Sequence, residues 1–412
     1  KLDIIFLNNV ELNGFFALDQ MGDTLASVGS LKVELSSIRD VLNNKITVKS
    51  IALDQGLVKL YKNADDHKFN FAFIAEYFSS DKKKESSPMP VIRLKEINLT
   101  NIRFHFDDNN KPRAEHGLDY AHLLLRDVNL NASQFLIKDG AYSGIIKHLS
   151  AYEQRSDFKI ENLKTRAQFS ANGLDLKRTY IKTPDSELRR KRFQLIYSGL
   201  EDFSHFIDSV RFDADLNKTV VSFKDIAVFA PMLYGMDQQV FIDGKFDNYI
   251  KDLKATNLVL KTGEKTEIRG SIQLPDFRDL KASFYQERID YIYADINDLT
   301  KIKIPSKDEP KYLALDPIIH RLGYLEGENI RLDGLYSQFV LSADELKTAV
   351  GSVNMDNGLY FTYDKARDLY VFKHSEASEY DVKVNSFDLG RLLASNNFGI
   401  VDGHFFLSGE AK

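Results

Sequence analysis

Apolar side chains fall at every second position over short stretches of this chain, and the stretches close at Asn, Asp or Gly. Ile92-Arg93-Leu94-Lys95, Glu96-Ile97-Asn98-Leu99 and Ile102-Arg103-Phe104-His105-Phe106 show the pattern most plainly. It returns at Thr47–Leu53, Leu57–Tyr61, Thr165–Phe169, Val210–Leu216, Thr256–Leu260, Glu267–Leu274, Leu359–Tyr363 and Tyr380–Val384. Period two gives each strand one apolar and one polar face, which predicts a long antiparallel sheet. The three-residue step from Leu94 to Ile97 hints that a bulge reverses the phase there.

Asp-Gly followed by an aromatic two residues later recurs at Asp139-Gly140, Asp243-Gly244, Asp333-Gly334 and Asp402-Gly403, with Asn357-Gly358 as a near copy. These dipeptides tolerate the positive φ of tight hairpins, so the motif reads as turn punctuation. Helical spacing is scarce. Leu200, Phe203, Phe206, Ile207 and Val210 follow it, with Ser198 and Glu201 placed as a capping box. Phe71, Ile74 and Phe78 suggest a second short helix, and Leu313–Leu322, Phe387–Ala394 and Ser36–Leu42 are weaker cases. Such helices would cap a sheet.

Segment 79–90, SSDKKKESSPMP, reads as a polar loop between an N-terminal β segment with short helices (1–78) and continuing β segments (91–412). Pro305–Pro310 marks a shorter break in the latter. At roughly 14 residues per strand and turn, the chain holds about 29 strands, which stacked at ~4.8 Å would span on the order of 140 Å.

With 29 Phe and 19 Tyr but no Trp or Cys, the composition rules out disulfides and thiolate metal sites. A net charge of −5 carries no polyanion signature, so nucleic acid is not an expected partner. The nine His are scattered. His116 and His122, near Glu115 and Asp119, read as surface or turn residues rather than metal ligands, and Asp107-Asp108-Asn109-Asn110 as a solvated hairpin end. No nucleophile elbow or phosphate-cradling Gly loop occurs, and no carboxylate pair stands out for glycoside chemistry. Neither an enzyme activity nor a cofactor nor a metal is expected. Arg189-Arg190-Lys191-Arg192 is the strongest charge run, either a holder of an anionic phosphate or a solvated tip or outer strand face.

Several segments in order resemble the AsmA-like family, in particular TamB proteins of the Bacteroidota type. They are ITVKSIALDQGLVKLYKN, HKFNFAFIAEYF, VIRLKEINLTNIRFHFDD, VVSFKDIAVFAPML, the stretch Phe241–Phe277, and the final HRLGYLEGENIRLDGLYSQF to GIVDGHFFLSGEA. The resemblance implies a mainly β fold, an elongated, curved antiparallel sheet forming a U-shaped apolar groove with a few short helices. It implies a periplasmic lipid-transport conduit that shields phospholipid acyl chains between inner and outer membrane. On that reading the groove is lined by Ile97, Leu99, Ile102, Phe104, Phe106, Leu258, Leu260, Ile268, Ile272 and Leu274. Family members are anchored in the inner membrane by an N-terminal helix and pair with a TamA-like outer-membrane barrel of the BamA superfamily. Both parts are expected outside this sequence, which reads as a piece of a longer chain. A second reading is a scaffold of the translocation and assembly module that helps outer-membrane β-barrel proteins assemble. A third is a carbohydrate-active enzyme or adhesin on a β-sandwich or β-helix.

Overall fold

The computed structural model describes residues 2–4, 9–36, 45–64, 68–73, 91–274, 276, 279, 284–307, 309–366, 369–372 and 380–407. The chain divides into two compact units, Lys1–Leu200 with Lys224–Tyr234, and Glu201–Phe223 with Gly235–Lys412. Both are mainly β, as the alternation predicts.

The first unit is a sheet of β1 (Leu2–Ile4), β2 (Asn9–Leu18), β3 (Thr24–Leu35), β4 (Lys45–Lys62), β5 (Val91–Asp108), β6 (His122–Lys138), β7 (Ala141–Glu153), β8 (Phe158–Ser170), β9 (Gly173–Lys182) and β10 (Glu187–Ile196). Each strand pairs with the next, antiparallel everywhere except between β4 and β5. A parallel neighbour needs a crossover, and residues 63–90 supply the length for one. The polar segment 79–90 lies outside the described residues.

The second unit holds β11 (Arg211–Ser222), β12 (Gln239–Tyr249), β13 (Leu253–Thr262), β14 (Thr266–Leu274) and β15 (Phe284–Asp295). A small hairpin follows, β16 (Lys303–Ile304) with β17 (Lys311–Tyr312), and its loop contains the 305–310 break. The sheet resumes with β18 (Tyr324–Leu335), β19 (Gln338–Thr348), β20 (Gly351–Asp364), β21 (Leu369–Phe372), β22 (Tyr380–Asp388) and β23 (Ile400–Leu407). Pairing runs in antiparallel order from β11 to β15, on to β18, β19 and β20, and then to β22 and β23. Strand β21 pairs with the other end of β20.

Among the described residues 23 strands are found rather than about 29, because several are far longer than expected. Strands β4 and β5 each run 18 residues. What lengthens them is a repeated device. Where apolar spacing slips from two residues to three, the third residue of the four adopts a left-handed backbone and the register shifts by one. Asn101 (φ 53°) does this between Leu99 and Ile102, and Asp127 (φ 51°) between Leu125 and Val128. Asn257 (φ 51°) does it between Ala255 and Leu258, and Ser386 (φ 47°) between Val384 and Phe387. Each bulge bends its strand and returns the next apolar residue to the original face. The suspected bulge between Leu94 and Ile97 belongs to the same set: Gln134 (φ 55°) stands between Ala132 and Phe135, the partners of Ile97 and Leu94. The β3–β4 register shifts at the same level, Val33 pairing with Ile51 and Leu35 with Val48, and because Ile51 and Val48 pair with Ile97 and Leu94, those two share a face.

The Asp-Gly reading needs a correction. Only Asp139-Gly140 forms a hairpin turn, between β6 and β7. Asp243-Gly244, Asp333-Gly334, Asn357-Gly358 and Asp402-Gly403 lie inside β12, β18, β20 and β23. At Gly334 the reason is space and backbone: φ is +143°, and a Cβ would sit 2.6 Å from the Cα of Phe339 on the adjacent strand. Glycine lets two backbones approach there, where a side chain would part them.

Helices are short, as expected. Leu200–His205 is a 3-10 turn continuing into Phe206–Ser209, within the predicted segment. Pro317–Leu322 starts with Pro at its first turn and Asp316 accepting from Ile318 N, and Leu389–Leu393 is capped by Asp388. Most of Ser36–Leu42 and of Phe71–Phe78 falls outside the described residues. Phe223–Phe229 and Ile296–Thr300 were not signalled by periodicity, being only a turn or two long.

Candidate functional site

Register partners in a sheet share a face, so the pairings decide which apolar residues stand together. In the first unit they build one row. Leu12 pairs with Leu31, Leu31 with Leu53, Leu53 with Leu99, Leu99 with Leu130, Leu130 with Leu149, Leu149 with Leu163, Leu163 with Ile181, and Ile181 with Leu188. Every strand from β2 to β10 contributes one residue, and the backbone of Leu2 in β1 continues the register. All nine side chains are half-buried. The face is greasy but not sealed.

The sequence-derived lining residues of this unit lie on that face. Leu99 is in the row itself. Ile97 stands beside it, and Ile102, Phe104 and Phe106 follow after the Asn101 bulge has restored the phase. Their parallel partners in β4 are apolar too: Ile51 beside Ile97, Val58 beside Phe104 and Leu60 beside Phe106. Ile102 is buried, its methyl lying over Gly56.

The second unit repeats the arrangement with less uniform residues. Ile242, Leu260, Ile268, Ile292, Gly327, Leu346, Val353 and Val384 are matched in register across β12, β13, β14, β15, β18, β19, β20 and β22. A neighbouring row carries Ala214, Phe246, Ala255 and Ile272. Leu258, Leu260, Ile268 and Ile272 thus share one face, whereas Leu274 pairs through its backbone with Leu253 and its side chain lies outside the described residues. Ile330, Ala343 and Met355 form a buried cluster on the face, with Ile289, Leu341 and Leu359 packed against it. Glu287 stands two residues from Ile289, and burial raises its carboxyl above the usual range.

The opposite faces are ionic. Lys164, Arg166 and Gln168 alternate with Leu163, Thr165 and Ala167 in β8 and are exposed. In the second unit Lys261 (3.1 Å) and Arg269 (2.6 Å) both bridge to Glu267, and Arg269 lies over the Tyr291 ring. Such exposed pairs add little stability, but they keep that face wet.

Three carboxylates act as structural clamps. Asp298 accepts from the backbone N–H of Glu264 (3.0 Å), Lys265 (2.8 Å) and Thr266 (3.0 Å) and from the Thr266 hydroxyl (3.1 Å), fixing the β13–β14 turn to the helix Ile296–Thr300. Asp225 accepts from Thr183 and Ser186, holding the helix Phe223–Phe229 to the β9–β10 turn. Asp19 accepts from the Tyr61 hydroxyl at 2.6 Å; burial first, and this bond with it, pushes that phenol up to about 12. None of these clamps was legible in the sequence, because each joins residues distant along the chain.

The histidines hold no common centre. His116 stacks on Tyr234 with ring centroids 4.0 Å apart, and His122, the first residue of β6, is buried and bonded to Asp119 at 2.9 Å rather than lying on the surface. Among the described residues no three His, Asp or Glu gather in a way that could hold a metal ion. No described helix is long and apolar enough to cross a membrane. The charge run lies within β10, not at a hairpin tip: Arg189 pairs with Glu187 (2.7 Å), and Arg192 reaches Asp175 (3.8 Å). No family model, curated protein or solved structure matches the chain.

Proposed function

We propose that the chain is a lipid carrier in which each unit's apolar face holds acyl chains, working as a TamB-like periplasmic conduit for phospholipid between inner and outer membrane. The row from Leu12 to Leu188 carries this reading. Nine residues at ~4.8 Å per strand run for about 38 Å. No side chain in the row donates or accepts a hydrogen bond, so the row holds hydrocarbon without selecting it. Each methylene removed from water contributes about 0.8 kcal/mol, which makes binding tight in total. Near-identical Leu positions make neighbouring sites nearly equal in energy, so a bound chain slides. No bond has to break, and the proposal includes no catalytic residue and no cofactor.

Native mass spectrometry on protein purified without detergent tests it. The expected spectrum contains phospholipid adducts. Adduct-free protein that instead retains unfolded outer-membrane β-proteins would favour the scaffold reading.

A further inference from the structure

A charged side chain on the apolar face of the first unit lies close to the leucine row. Arg190 in β10 pairs in register with Thr179, whose hydroxyl meets that of Thr165 at 2.9 Å. Leu188 precedes Arg190 on that face, and Phe193 and Leu195 follow it after the phase shift at Arg178. The guanidinium lies over the Phe193 ring, 4.8 Å from its centroid. Its Nε is buried with no hydrogen-bond partner, and no ion pair reaches it from any described residue. Arg189 and Arg192, on the other face, both have carboxylates. Arg190, a fork of five donors, has none.

A half-buried cation with a dry, unbonded Nε and no carboxylate beside it is costly, and an apolar residue of similar size would serve the sheet better. Burial is felt strongly enough to lower the guanidinium to about 10. The fork suits two oxygens of a tetrahedral oxyanion, and the adjoining Leu188, Ile181 and Leu163 supply an apolar track for whatever that anion is attached to.

We infer that Arg190 is a binding site for a phosphate-ester oxyanion, which anchors an amphiphile whose hydrocarbon lies along the leucine row. The inference rests on the lipid-carrying reading for the hydrocarbon but not for the anion.

The experiment titrates three probes into the full chain: dihexanoyl phosphatidic acid, dihexanoylglycerol, which has the same tails without phosphate, and inorganic phosphate. Wild type is expected to bind the phosphatidic acid about tenfold more tightly than the diacylglycerol, the scale of a charge-assisted hydrogen-bonded pair. Arg190→Met is expected to erase that preference while changing diacylglycerol affinity less than twofold, and Arg190→Lys to keep part of it. Arg190→Met should also melt no lower than wild type, since it removes a desolvated charge. An unchanged preference in Arg190→Met, equal binding of both lipids by wild type, or an unfolded Arg190→Met would overturn the assignment. If neither lipid binds but inorganic phosphate binds wild type and not Arg190→Met, the anion site stands and the lipid reading falls.

Discussion

Leu163→Arg should reduce the phospholipid retained by the purified chain at least tenfold while leaving the fold intact. Leu163 sits in the leucine row between Leu149 and Ile181 and is half-buried. Because water reaches this face, the new side chain can turn its charge outward, and the cost to folding stays near 1–2 kcal/mol. A bound acyl chain has no such freedom. It would have to strip water from the guanidinium or leave several methylenes exposed, and at about 0.8 kcal/mol each, two lost methylenes already account for tenfold. Gln168→Arg, on the exposed polar face of the same strand, is the matched control and should retain lipid as wild type does. Lipid phosphorus per chain after detergent-free purification gives the readout. Equal retention by Leu163→Arg and Gln168→Arg would mean that hydrocarbon does not lie on the row.

The largest expected loss of stability comes from Asp298→Ala, at about 3 kcal/mol. Three backbone N–H groups and one hydroxyl lose their common acceptor, and the Thr266 N–H is buried where water replaces it poorly. Asp298→Asn keeps an acceptor oxygen and should lose less. Burial by itself would raise this carboxyl, but the hydrogen bonds from Glu264, Lys265 and Thr266 outweigh it and hold the pKa below the ordinary carboxylate value. A depressed folded pKa means the unfolded chain binds the proton more readily. The contribution is therefore complete above the unfolded carboxylate range and is lost as pH falls through the folded value. Urea unfolding at several pH values checks both points: the wild type should lose stability towards acid more steeply than Asp298→Asn. A near-neutral Asp298→Ala would show that the turn does not depend on the clamp.

How much of this was legible beforehand differs from residue to residue. Alternation in Ile92–Phe106 groups Ile97 with Leu99 and Ile102 with Phe104 and Phe106, and the Asn101 bulge brings the two groups to one face. The step from Leu94 to Ile97 was legible as a bulge, and the left-handed Gln134 opposite it and the β3–β4 register shift at the same level agree. A spacing of three has two physical causes, a left-handed residue or a simple change of face, and only the hydrogen-bond register separates them. Asp333-Gly334 illustrates a different ambiguity. Positive φ serves a hairpin turn and a close strand approach equally, and the dipeptide does not say which. The leucine row was invisible because no single segment contains it: its members come from nine strands, and only pairing between them aligns Leu12, Leu99 and Leu188. Arg190 was hidden among three other basic residues whose side chains the same strand treats differently. Alternation would place Arg190 and Arg192 together, but the phase shift at Arg178 in β9 carries into β10 and separates them.

Site-specific photocrosslinking tests the central claim most directly. A photoreactive phenylalanine analogue is placed singly at Leu99, Leu163 and Gln168, and the chain is irradiated in cells that contain radiolabelled phospholipid. Lipid attached at Leu99 and Leu163 but not at Gln168 is the predicted result. Equal labelling of all three positions, or labelling of none while the protein remains folded, would contradict it.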